Sequence, residues 1–116
     1  MKLTFKENSI GGIDILEVNK VITPGDIMNY LVGKGFRQAN KGFEYAFEAI
    51  RGEIIGEYSD KVTVMYAQVA KNCNSTASRV ERAIRHEIIH SGLGKAVGEF
   101  IAESVNYFKM VFPYNN

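Results

Sequence analysis

Three arginines, Arg79, Arg82 and Arg85, recur at every third position, and the same stretch holds Ser75, Thr76, Ser78, Glu81 and His86. A guanidinium forks onto guanine O6 and N7, a glutamate accepts from cytosine N4, and hydroxyls and imidazoles hold phosphates. The stretch can be wound at about 100° per residue with Val80 as zero. Ala77, Ile84, Glu87 and Ile88 then fall within roughly 80° of it, while Ser75, Ser78, Arg79, Arg82, Arg85 and His86 fall opposite. One side can pack on a core and the other suits a major groove. The competing interpretation is a solvated helix face whose arginines make weak ion pairs with Glu81 or with acids on other helices.

The same helix offers a second chemistry. His86-Glu87-Ile88-Ile89-His90 has the H-E-x-x-H spacing in which two imidazoles bind zinc and the glutamate acts as general base. A catalytic site needs a third protein ligand. There is no third histidine, so only Glu99 or Glu103 could serve, and Leu93 stands where the longer form of the motif needs glycine. Glu87 also winds toward the core. A zinc metallopeptidase is therefore the remote alternative, and no catalytic residue, metal or cofactor is expected. His90 is expected at the surface, near a helix C-terminus. Cys73 is the single cysteine, which excludes an intrachain disulfide; it is expected to be a small buried side chain.

Positioning that arginine face requires a helix-turn-helix, placed at about residues 61–90. Ala70 supplies the small residue where two helices cross, and Asn74 supplies a residue tolerant of left-handed φ. Ser75 or Thr76 caps the second helix, and Val80 and Ile84 anchor it. Upstream, Thr23-Pro24 marks a helix start, with Ile27, Tyr30 and Leu31 on one face and Gly33 and Gly35 as the stop. A second helix is expected from about Arg37 or Asn40 to Arg51, with Phe43, Ala46, Phe47 and Ile50 inward. Asp60 is expected to cap the next helix, at about 61–72. Helices at about 76–90 and 94–110 complete the chain. The last of these is apolar enough to be largely buried or to form a dimer surface. Residues 1–23 alternate like two strands around Gly11-Gly12 and read as a small β-hairpin. The expected fold is all-α, a bundle of five to six helices on residues 24–116 behind an N-terminal extension on residues 1–23.

The bulk numbers agree with this. A chain of 116 residues with 46% hydrophobic and 23% charged side chains fits one globular domain. Six Lys/Arg and two Glu lie between Lys61 and Lys95, a net of +4, against eight basic and eleven acidic residues elsewhere, a net of −3. Positive charge concentrated in one segment suits nucleic acid. The start lacks the apolar run of a signal peptide and no apolar stretch is long enough to span a bilayer, so the cytoplasm is the expected compartment.

The run Asn74-Ser75-Thr76-Ala77-Ser78-Arg79-Val80-Glu81-Arg82-Ala83-Ile84-Arg85-His86 resembles the recognition helix of the C-terminal DNA-binding effector domain of the sporulation stage-zero master response regulator. Support on both sides comes from Lys41 to Ile50, from Tyr66 with Val69-Ala70-Lys71, and from Glu99-Phe100-Ile101-Ala102. The resemblance covers roughly residues 24–110. It implies a six-helix domain that binds short DNA boxes, often in tandem as a dimer. By position, Arg82 would read guanine and Glu81 the paired strand, while Ser78, Arg79, Arg85 and His86 would make further base or phosphate contacts. The 23 residues before this region cannot hold a receiver domain, so phosphorylation control within this chain is not expected. The segment after the recognition helix is shorter than the family's, which puts polymerase contact there in question. The expected function is a sequence-specific regulator of transcription that binds double-stranded DNA. Its expected partners are a second copy on tandem sites and either the transcription machinery or a full-length regulator, with no membrane. The alternative from another class is a protein-interaction module that keeps the helix-turn-helix as scaffold.

Overall fold

The computed structural model describes residues 2–6 and 15–19 as backbone and residues 21–112 in full. Strands β1 (Lys2–Lys6) and β2 (Ile15–Asn19) pair antiparallel, with Leu3 opposite Val18 and Phe5 opposite Leu16. The Gly11-Gly12 turn and Ile13 lie outside the described residues. Five helices follow: α1 (Pro24–Gly33), α2 (Lys41–Ile54), α3 (Val62–Asn72), α4 (Ala77–His90) and α5 (Val97–Val111). The fold is all-α in its core.

The helix starts follow from local hydrogen-bonding chemistry. At α1 the Thr23 hydroxyl accepts from the Asp26 amide at 3.2 Å, and the Asp26 carboxylate accepts from the Thr23 amide at 2.8 Å. This reciprocal box satisfies two donors that the first turn would otherwise leave unpaired. At α4 the Thr76 hydroxyl does the same for the Arg79 amide at 3.2 Å. The start of α3 departs from expectation. Its N-cap is Lys61 rather than Asp60, with no side-chain cap bond; the Lys61 amide is satisfied instead by the Ser59 hydroxyl at 3.0 Å. Helix α2 begins at Lys41 and runs one turn beyond Arg51, because Gly52 is buried beneath the Tyr58 ring rather than breaking the helix. The sixth helix that the resemblance implies is absent from residues 91–96, where Gly92 and Gly94 both take positive φ.

Helix α2 packs against each of the other four, which makes it the centre of the bundle. Its Phe43, Ala46, Ala49 and Ile50 share one buried cluster with Leu31 of α1, Met65 and Val69 of α3, and the buried face of α5. That face of α5, Phe100, Ile101, Val105 and Phe108, lies in the core, while Tyr107, Met110 and Val111 on the same helix stay exposed. Phe36 stacks on Phe100 with ring centroids 5.0 Å apart. Tyr30 meets Phe108 edge-on at 5.1 Å, and its hydroxyl is hydrogen-bonded to Ser104 at 2.9 Å.

Between α3 and α4 the chain reverses in four residues. Asn74 takes φ 54°, the only positive φ outside glycine among the described residues. The Ser75 amide then reaches back to the Ala70 carbonyl at 2.8 Å. Both asparagine and alanine carry the Cβ that crowds the following carbonyl there, but asparagine's short polar side chain offsets the cost by bonding locally to the backbone. Asn74→Ala is expected to cost about 1 kcal/mol, while Asn74→Gly stays within a few tenths of a kcal/mol of the parent. Urea midpoints of the two variants check this; equal losses would show that the side chain, not the backbone, matters there.

Candidate nucleic-acid interface

Helix α4 presents Ser78, Arg79, Arg82, Arg85 and His86 to solvent and buries Val80, Ile84, Glu87 and Ile88. The arginine face is therefore real, and nothing in the described chain covers it. Ala77, expected on the packing side, is exposed, because the first turn of α4 begins before the helix reaches the core. Ser75 is half-buried and its hydroxyl accepts from Tyr45 at 3.1 Å, so it braces the turn against α2. Thr76 is exposed and spends its side chain on the cap. Arg82 donates to Ser78 at 3.3 Å. Glu81 lies 3.4 Å from the Arg85 Nε, an i,i+4 pair between side chains 34% and 53% exposed. A pair this exposed is worth at most about 1 kcal/mol, so both groups can be redirected to a ligand.

The back of α4 is fixed by an ion-pair cluster. Glu87 is 1% exposed. One carboxylate oxygen accepts from the Arg37 amide at 2.9 Å and from Arg37 Nε at 3.2 Å. The other accepts from Arg37 Nη2 at 2.9 Å and from Asn40 Nδ2 at 2.7 Å. Burial pushes the Glu87 carboxyl up, but the hydrogen bonds from Arg37 and Asn40 outweigh it and hold the group at about 2. Gly42 sits beside this cluster. A Cβ there would overlap the Ala83 carbonyl oxygen and come within 2.7 Å of the Glu87 Cγ. Helices α2 and α4 therefore cross nearly backbone to backbone, and the arginine face is held rigidly with respect to the N-terminus of α2.

This geometry breaks the zinc reading. His86 and His90 are exposed, whereas Glu87 is buried and both its oxygens are engaged by Arg37 and Asn40, so it is not free to act as the required base. Among the described residues no group of three or more His, Cys, Asp or Glu is placed to hold a metal ion. Cys73 is half-buried rather than fully buried, and burial raises its thiol above the ordinary value, away from a reactive thiolate.

The profile of the family described as sporulation initiation factor Spo0A C terminal matches residues 27–110. The chain belongs to this family. The matched span runs from the first buried residue of α1 to the last turn of α5, and so takes in the whole helical core. The Spo0A C-terminal family is a DNA-binding effector domain of transcription regulation in sporulation and not an enzyme family, and the chain is accordingly a DNA-binding regulator. No helix among the described residues is long and apolar enough to cross a membrane.

Residues outside α4 also border the arginine face, and the α4 winding did not bring them there. A groove of about 340 Å³ runs between α4 and the start of α2, with Asn40, Lys41 and Gly42 on one wall and Arg79, Arg82 and His86 on the other. Lys41 is missed by any reading of one helix at a time. The available signal was Gly42: a glycine in the first turn of an otherwise well-formed helix marks a close approach of another backbone.

Proposed function

We propose that the chain reads duplex DNA through a helix-turn-helix made of α3, the Asn74 turn and α4, with α4 lying in the major groove. The observation that carries this reading is the exposed, unobstructed row of Arg79, Arg82 and Arg85 on a helix whose other side buries Val80, Ile84, Glu87 and Ile88. Family membership adds the ligand class. Arg82 is assigned to guanine and Glu81 to the paired strand, after Glu81 leaves Arg85. Ser78, Arg79, Arg85 and His86 make further base or phosphate contacts, and Thr76 lies at the end of α4 nearest the backbone. Ser75 acts through the turn, by its bond to Tyr45, rather than on DNA. Phosphate contacts supply most of the affinity, and the groove contacts supply the discrimination. Two copies on tandem boxes are the arrangement that the family likeness favours.

Arg82→Ala is expected to cost about 1–3 kcal/mol on the preferred duplex and to relax a single base position. Titrations at matched salt, on a duplex selected from a random pool and on its scrambled counterpart, give the answer. Equal losses on both would remove Arg82 from base reading. A chain that selects no duplex would sink the whole reading.

A further inference from the structure

The groove between α2 and α4 is a second binding element that the α4 face alone does not contain. Its lining carries the cations of Lys41, Arg79 and Arg82. The one acid on its wall, Glu87, is already neutralised by Arg37. Arg79 makes no ion pair among the described residues. Lys41 is held only by Glu44 at 3.2 Å, an exposed i,i+3 pair of side chains 72% and 51% accessible, which a stronger anion can displace. The Asn40 side chain, the natural cap of α2, is turned onto Glu87, so the first turn of α2 has no side-chain cap. The close crossing at Gly42 fixes Lys41 relative to Arg79 and Arg82.

We propose that Lys41, with Arg79 across the groove, holds one backbone phosphate of the duplex and thereby sets the register in which Arg82 meets its base. The assignment rests on the DNA reading above. A cationic groove that is open on one side and placed beside a base-reading helix suits a strand's phosphate, which bears a full charge and needs no sequence. It does not suit a base edge, because Lys41 stands on a different helix from the residues that enter the groove of the DNA.

Titrations of the full chain on the selected duplex and on the scrambled one test this. Lys41→Ala is expected to weaken both by a similar factor and to lower the slope of log K against log salt by roughly one, with Lys41→Arg restoring both. Neutral methylphosphonates scanned along the selected duplex should reveal one position that weakens the parent and costs Lys41→Ala nothing further. An unchanged salt slope in Lys41→Ala, with Arg82→Ala still relaxing a base, overturns the phosphate assignment alone. Loss confined to the selected duplex overturns it too, since that pattern is base reading. If the parent chain binds neither duplex, the DNA reading falls and takes this assignment with it.

Discussion

Glu87→Gln is expected to lower the stability of the domain by about 3 kcal/mol at neutral pH. The carboxylate is almost wholly buried and accepts four hydrogen bonds, three of them from Arg37. An amide of the same shape keeps one acceptor oxygen but turns an amino group toward a guanidinium. Removing one partner of a buried pair typically costs about 3–5 kcal/mol. The Arg37 side chain is 38% exposed, so water recovers part of its solvation and the lower end applies. The acid dependence gives an independent handle on the same group. A carboxyl held at about 2 in the fold, against an ordinary 4.5, stabilises the folded state fully above the ordinary value and loses that contribution as pH falls toward 2. The shift corresponds to about 3 kcal/mol, in agreement with the pair argument. Thermal unfolding at pH 7 should therefore show a drop on the order of 10 °C in the variant, and the gap should close as both proteins are taken toward pH 2. A gap that stays constant down to pH 2 would mean that Glu87 contributes by packing and not by charge.

That cluster also shows where one-dimensional reading succeeds and where it stops. The inward direction of Glu87 was legible, because helical winding places it beside Val80, Ile84 and Ile88. Its partners were not, since Arg37 lies in the connection before α2 and Asn40 at its edge, and no periodicity links them to α4. The Thr23 cap, the left-handed Asn74 and the buried anchors of α4 were legible for the same reason: each is decided within about four residues of chain. Features decided by tertiary contact were misjudged. The Tyr45 hydroxyl that α2 brings onto Ser75 could not be read from the α4 stretch alone. Asp60 is a local miss: Ser59, two residues before Lys61, takes the Lys61 amide, and the helix starts one residue later. The second helix was expected to stop at Arg51, yet it runs on to Ile54 with the Tyr58 ring laid over Gly52. The arginine face itself survives because exposure needs no partner, only an underside that packs.

Gly42→Ala should be about as damaging as Glu87→Gln, despite replacing a poor helix former with the best one. On propensity alone the substitution would gain up to about 1 kcal/mol. The space forbids it. The new methyl would overlap the Ala83 carbonyl oxygen and lie 2.9 Å from the Ala83 carbonyl carbon, and these are backbone atoms in the middle of a rigid helix. The Glu87 Cγ at 2.7 Å cannot retreat either, because its carboxylate is tied to Arg37 and Asn40. Relief requires α2 and α4 to separate, which strains the ion-pair cluster and opens voids beside Ile84. Overpacking of this kind costs about 1–3 kcal/mol and occasionally more. With a backbone as the obstacle the upper end is expected, a net loss of about 3 kcal/mol, and more for Gly42→Val. Gly33→Ala is the matched control: it also lies in a helix, but nothing stands within 4 Å of its new Cβ, so it should be neutral or gain up to about 1 kcal/mol. The separation has a functional reading as well. On the proposed DNA reading, moving α4 away from Lys41 would break the register between phosphate and base contacts, so Gly42→Ala should lose discrimination between selected and scrambled duplexes even at temperatures where it is fully folded. A variant as stable as the parent would show that the two helices can part without cost, and the rigid crossing could no longer be what aims the arginine face.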